Sequence, residues 1–98
     1  MLAILFNIDL LSSEYNKGYL PAYKEIKETL DGYGFKPQNN WLYTSQNENL
    51  KNLYDAIEAL KSLTWFSIAV TEFTVFRMEL FSDLIDHVKT KNKNTSVP

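Results

Sequence analysis

The chain has 98 residues, 45% hydrophobic with three Gly and three Pro, enough for one small core and excluding a second domain, a linker-dominated chain or wholesale disorder. It has no cysteine, which removes disulfides and thiolate metal sites and fits a reducing cytoplasmic interior. Residues 1–88 carry seven Lys and Arg against all twelve acids, and three further lysines bring the total to −2; so acidic a body argues against gripping long nucleic acid through many phosphates, yet leaves room for one short strand in a local groove.

Met1 to Phe6 is apolar at every position. That run is far below the ~20 residues of a membrane span, has no basic stretch before it, and reads as a strand rather than a leader or an anchor. Alternation puts Leu2, Ile4, Phe6 and Ile8 on one face and Ala3, Leu5, Asn7 and Asp9 on the other. Both faces are apolar over the first five positions. If helices cover one face, a second copy of the sheet is the cheapest cover for Ala3 and Leu5, which predicts a homodimer.

Leu11 to Lys17 reads as polar loop. Tyr19, Tyr23, Ile26, Leu30 and Tyr33 then recur at helical spacing, with Pro21 in the opening turn and Gly32 and Gly34 at the exit. Phe35–Lys36 and Trp41–Thr44 are short extended segments around a Pro37–Asn40 turn. Ser45 or Asn47 is the expected cap of a second helix, whose buried stripe is Leu50, Leu53, Tyr54, Ile57 and Leu60. Trp65 and Phe66 close its end over the sheet. Val70 to Met78 is a long strand rich in β-branched and aromatic residues, with Thr71, Phe73, Val75 and Arg77 on one face and Glu72, Thr74 and Phe76 on the other. Phe81, Leu84, Ile85 and Val88 suit a short terminal helix from about Ser82.

Strand, helix, two strands, helix, strand is the order of a ferredoxin-like split βαβ fold, of α+β class, here with an additional short C-terminal helix. The domain is expected over 1–89, with residues 90–98 a flexible polar tail. Right-handed crossovers would place both long helices on one side of the sheet.

No phosphate-binding glycine loop, zinc-ligand cluster or serine nucleophile elbow is present. The lone His87 reads as a surface residue. Polar groups at strand ends are the better leads: Asn7 and Asp9 close an apolar strand, and Tyr43, Thr44, Ser45 and Gln46 occupy a strand-to-helix junction where amides can hold a phosphate and a tyrosine can stack on a base. Strand-end solvation and helix capping account for the same residues without a ligand. Arg77 interrupts Phe73, Phe76 and Met78, and either a salt bridge with Asp9 or Glu79 or phosphate binding explains a charge there.

A family resemblance runs from Leu2 to about Val88. It is carried by Ala3-Ile4-Leu5-Phe6-Asn7, Ala22-Tyr23, Tyr33-Gly34-Phe35, Leu42-Tyr43-Thr44, Asn47-Glu48, Asn52-Leu53, Ala59-Leu60-Lys61, Trp65, Phe76-Arg77-Met78-Glu79 and Ser82-Asp83. In order and spacing these resemble virulence-associated protein D (VapD), a toxin ribonuclease family related in fold to the small CRISPR-associated ferredoxin-like nucleases. The resemblance implies a dimeric cytoplasmic endoribonuclease that cleaves RNA and is held by a small antitoxin. It also implies an aspartate at the position of Asn7. An amide keeps the size but cannot accept a proton or hold a cation firmly. An introduced inactivation, a natural inactive member and chemistry that dispenses with the carboxylate are the three accounts of that departure. A noncatalytic RNA-binding or toxin–antitoxin scaffold is the alternative function. On this reading position 7, with Asp9 as substitute, activates a hydroxyl or metal, Arg77 offsets phosphate charge, and Tyr43 and Ser45 position the strand. Mg²⁺ is the candidate cofactor, in a thin site unless the symmetry mate adds a second carboxylate.

Overall fold

The computed structural model describes residues 1–12 and 15–78. The expected terminal helix, His87, Glu79 and the 90–98 tail lie outside them. Strand β1 (Leu2–Ile8) leads through a 3-10 turn (Leu10–Ser12) into α1 (Tyr19–Asp31), β2 (Lys36–Pro37) and β3 (Leu42–Ser45). Helix α2 (Leu50–Lys61), the short α3 (Thr64–Ala69) and β4 (Val70–Arg77) follow. The sheet order is β2-β3-β1-β4 and every pairing is antiparallel, the order of the ferredoxin-like plan.

The alternation in β1 determines the layers. Leu2, Ile4 and Phe6 pack with Ile26 and Leu30 of α1 and with Leu53, Ala56 and Leu60 of α2, so both long helices cover one face. Each such fully buried side chain contributes roughly 1.5–3 kcal/mol relative to exposure. Ala3, Leu5 and Asn7 point to the other face, open in that no helix among the described residues covers it, beside Leu42 and Thr44 of β3 and opposite Phe76, Thr74 and Glu72 of β4. Ala3 and Leu42 are buried, Leu5 and Phe76 are half-buried, and Asn7 is exposed.

The buried stripe of α2 is Leu53, Ala56 and Leu60; Leu50 and Tyr54, expected in it, are exposed and Ile57 is half-buried, and in α1 Tyr19 is exposed while Ala22 is buried, because the helices meet the sheet along a narrower face than the apolar residues span. Two further local readings change. The cap of α2 is Asn49, not Ser45 or Asn47: its side-chain oxygen accepts from the N–H groups of Lys51 (2.8 Å) and Asn52 (3.3 Å). Ser45 and Asn47 act earlier in the connection. Ser45 Oγ accepts from Asn47 N–H at 3.1 Å, and Asn47 Oδ1 accepts from Asn49 N–H at 2.9 Å, so the connection is a relay of side chains each satisfying an amide two residues on. The second change is α3, a six-residue helix where a helix end was expected; it buries Phe66 and Ala69 and leaves Trp65 half-buried against the Tyr15 ring at 4.6 Å.

Candidate active site

The open-face end of β1 is built by its pairing with β4. Asn7 stands directly opposite Glu72, and its Nδ2 donates to Glu72 Oε2 at 3.1 Å. Immediately beyond, the register shifts so that Ile8 pairs with Val70, which leaves Thr71 as an extra residue on β4. Its hydroxyl donates to the Asn7 carbonyl at 3.3 Å. A bulge of this kind bends an edge strand and re-aims neighbouring side chains, and such bulges are common beside functional sites. Glu72 was legible only as one residue on a strand face; its partnership with Asn7 depends on a pairing 65 positions apart in sequence.

Asp9 follows the strand. Its N–H donates to the Ala69 carbonyl at 2.8 Å, and its Oδ1 accepts from Leu11 N–H at 2.9 Å at the head of the 3-10 turn. This carboxylate therefore shapes the turn that leaves β1.

Arg77 is elsewhere. It pairs with Leu2, on the helix-covered face, five residues beyond Glu72 along β4, a separation of about 17 Å at strand rise. Among the described residues its partner is Glu48, not Asp9, and the expected Glu79 alternative lies outside them: Arg77 Nε lies 3.3 Å from Glu48 Oε1, while Glu48 Oε2 accepts from the Met1 ammonium at 2.9 Å. The hydrogen bond from that ammonium, with Arg77 adding its charge, holds the Glu48 carboxyl below its ordinary range. Within one chain Arg77 and Asn7 thus belong to opposite ends of the sheet.

The strand-to-helix junction also differs from expectation. Tyr43 lies on the helix-covered face, 2% exposed, and stacks on Phe6 with centroids 6.0 Å apart, so its ring serves the core and is not offered to a base. Thr44 is on the open face, nearly buried, and its Oγ1 accepts from Gln38 Nε2 at 2.8 Å. Ser45 is engaged in the relay and Gln46 is exposed. Thr44, Ser45 and Gln46 line one shallow groove with Lys36. Because Asn49 satisfies the Lys51 and Asn52 amides, the start of α2 is not an open phosphate cradle.

Burial pushes the Tyr43 phenol from 10.0 up to about 12. An acid whose pKa is raised by folding keeps its proton while the unfolded chain has lost it, so this contribution is complete below pH 10.0 and is lost as pH rises toward about 12. Replacing Tyr43 with Phe is expected to change stability at pH 7 by less than about 1 kcal/mol and to flatten alkaline destabilisation. Urea unfolding at pH 7 and at pH 10.5–11.5 checks this; equal alkaline losses in both chains would place the buried phenol elsewhere.

Among the described residues no group of three or more His, Asp and Glu side chains converges. The Asn7 amide turns its N–H toward Glu72, presenting a donor where a divalent cation requires oxygen acceptors. The pair as it stands does not fit Mg²⁺. Its chemistry is that of one carboxylate oriented by an amide.

An antiparallel ferredoxin-like sheet with helices on one face, and a polar pair at the bulged end of its first strand, defines the class: a small α+β protein whose candidate site sits on the open sheet face. No family model matches the chain. Individual relatives do. It is 40% identical over 92 residues to the endoribonuclease VapD homolog of Neisseria gonorrhoeae, spanning 92% of this chain and 100% of that protein. It is 37% identical over 90 residues to endoribonuclease VapD of Haemophilus influenzae, covering 91% and 99% of the two chains. The VapD of Helicobacter pylori is 32% identical over 91 residues, covering 91% and 97%. The chain belongs to the VapD family.

Proposed function

We propose that this protein is built as a homodimeric RNA endonuclease, a toxin restrained by a small antitoxin protein, with its reaction centre at the open-face end of β1. The observation that carries the reading is the 3.1 Å contact between Asn7 and Glu72. Position 7 is where the family resemblance implies an aspartate, so a carboxylate there would stand beside a second one on the neighbouring strand. RNA cleavage needs the 2′-hydroxyl in line with phosphorus, a group to take its proton, and a proton for the departing oxygen. Two adjacent carboxyl groups supply both, since the charge of one favours retention of a proton on the other. Asn7 in this chain supplies neither. It holds Glu72 in place, and that amide favours the second reading, an RNA-binding member without cleavage.

The test is RNA cleavage by the chain and by its Asn7→Asp variant, with protein in excess over labelled RNA. Cleavage is expected to rise by at least ~100-fold in the variant. Equal rates would remove position 7 from the mechanism, and two inert proteins that still bind RNA would establish the noncatalytic reading. Magnesium and chelator arms complete the series: a magnesium-dependent rise in the variant's unfolding temperature adds a cation to the carboxylate pair, and chelator-insensitive cleavage removes it.

Dimer formation rests on the open face, where Leu5 is half-buried beside Leu42 and Phe76. Leu5→Glu is expected to weaken association at least tenfold, because it asks a charge to leave water in an apolar contact. Sedimentation across the micromolar range reads this directly; a compact monomer at every concentration overturns the dimer. Among the described residues no helix is long and apolar enough to cross a membrane.

A further inference from the structure

We infer that a single-stranded RNA segment is held in the groove between α1 and the β2–β3 turn, by Lys24, Lys27 and Tyr23 on one side and the amide side chains of the turn on the other. The inference rests on the RNA reading above. The groove, about 560 Å³, lies outside the residues that the sequence pointed to, apart from Tyr43 in its lining.

Its first wall is one helical stripe. Leu20, Tyr23, Lys24 and Lys27 follow the i, i+3, i+4, i+7 spacing that aligns side chains on one face. The apolar stripe of α1 that makes the core is a different one, formed by Ala22, Ile26 and Leu30. Tyr23 also packs against the core, but Leu20 is 82% exposed and Lys24 and Lys27 share its face, so packing accounts for only one member of this second stripe. The opposite wall runs from Pro37 to Asn40.

Charge selects the occupant. The lining holds two lysines and no carboxylate, in a body whose first 88 residues sum to −5. Other cations are neutralised close by: Lys36 by Asp31, Lys51 by Asp55, Lys61 by Glu58 and Arg77 by Glu48. Lys17 shares a separate concavity with Glu25. Lys24 has only a 4.0 Å contact with Glu28, and Lys27 acts on Asp31 through charge alone, with no ion pair among the described residues, while Asp31 is already bonded to Lys36. An acidic protein that places two weakly neutralised cations in one carboxylate-free concavity favours a polyanion there. The half-buried Tyr23 supplies an aromatic surface between the two charged positions and Leu20, the combination that single-stranded nucleic acid uses for stacking and phosphate contact.

The turn is fixed before anything binds. Gln38 N–H donates to the Leu42 carbonyl at 2.8 Å, Gln38 Nε2 to Thr44 Oγ1 at 2.8 Å, and Trp41 N–H to Asn39 Oδ1 at 2.9 Å. Gln38 and Asn39 each use one end of the amide in these bonds, leaving the other end for a base edge at little ordering cost. The same turn also borders the end of β1 that carries the candidate reaction centre, whose side chains stand on the sheet face opposite the groove. Leu5 pairs with Leu42, and Phe6 N–H donates to the Trp41 carbonyl at 3.0 Å, which carries the chain to Asn40 beside the end of β1 where Asn7 stands. A strand leaving the groove past Asn40 is one strand spacing, about 5 Å, from β1.

The test uses the full chain, whose amide at position 7 favours binding without cleavage, and a labelled single-stranded RNA of roughly 12 nucleotides followed by fluorescence anisotropy. Lys24→Glu/Lys27→Glu is compared with Lys51→Glu/Lys61→Glu, which changes net charge equally on α2. The groove variant is expected to lose about tenfold or more in affinity and to show a salt dependence shallower by ~1.4 in log–log slope. The control should lose less than about threefold. Tyr23→Leu, which keeps apolar packing against the core, should lose about fivefold or more through stacking alone, with an unchanged urea midpoint. Equal losses in the two double variants, or none in the groove variant while RNA still binds, overturn the groove and leave the RNA reading standing. Failure of the unaltered chain to bind RNA overturns both.

Discussion

In the Asn7→Asp background, exchanging Glu72 for glutamine is expected to lower RNA cleavage by about 100-fold or more, the scale of a lost proton-transfer group. The two side chains are opposite one another across β1 and β4, and Asn7 already donates to Glu72 at 3.1 Å. Glutamine has the length of Glu72 and keeps a hydrogen-bonding carbonyl, so the exchange removes charge and proton capacity while leaving the shape of the strand end. A loss below about threefold would mean that Glu72 only orients its neighbour, because orientation alone survives the exchange. The pH profile separates the accounts further. Beside Glu72 the introduced carboxyl is expected to keep its proton to higher pH, so the rising limb of the rate should move to lower pH in the double variant. Arg77→Ala in the same background is a useful contrast. Its ion pair with Glu48 at the other end of the sheet predicts a change of less than about threefold in the rate.

Phe6→Ala is expected to cost about 3–5 kcal/mol, the range for removing a buried aromatic ring. Phe6 is 0% exposed and joins the sheet to the helix layer: it stacks on Tyr43 of β3 and meets Phe66 of α3 edge-on at 5.7 Å, in one core with the α1 and α2 apolar stripes. A domain of this size has a total stability of only ~5–15 kcal/mol, so the variant should be substantially unfolded at 37 °C. Urea denaturation monitored by circular dichroism reads the difference. Phe73→Ala is the control, since that ring is 36% exposed and meets Phe66 from the edge strand. A Phe6 cost no greater than the Phe73 cost would show that the sheet–helix interface can collapse around the missing ring.

Local signals carried most of the architecture. The alternation in Leu2–Ile8 and the spacing of Leu53 and Leu60 record persistent burial patterns that survive tertiary packing, whereas Leu50 and Tyr54, apolar at the same spacing, end exposed and the small Ala56 takes a buried place. Helix α3 is too short to show a period, and its Trp65 and Phe66 read equally well as a helix end. The cap of α2 was ambiguous because Ser45, Asn47 and Asn49 are all capping residue types at intervals of two; only the geometry distinguishes the last as the true helix start. In β3 the burial of Tyr43 follows from which face meets the helices, a fact set by pairing with β1. The candidate site was half legible. Asn7 stands out as an amide ending an apolar strand, whereas Glu72 becomes its partner only through a long-range register that no local pattern encodes.

The Ser45–Asn47–Asn49 relay gives the connection between sheet and second helix an uncommon mechanical character. A segment without ladder hydrogen bonds ordinarily exchanges its amide hydrogens freely and acts as a joint. Here the amides of Asn47, Asn49 and Lys51 are each tethered by a side chain two residues before them. They should take up deuterium more slowly than the amides of an unbraced connection, so strand and helix are coupled through the segment that joins them.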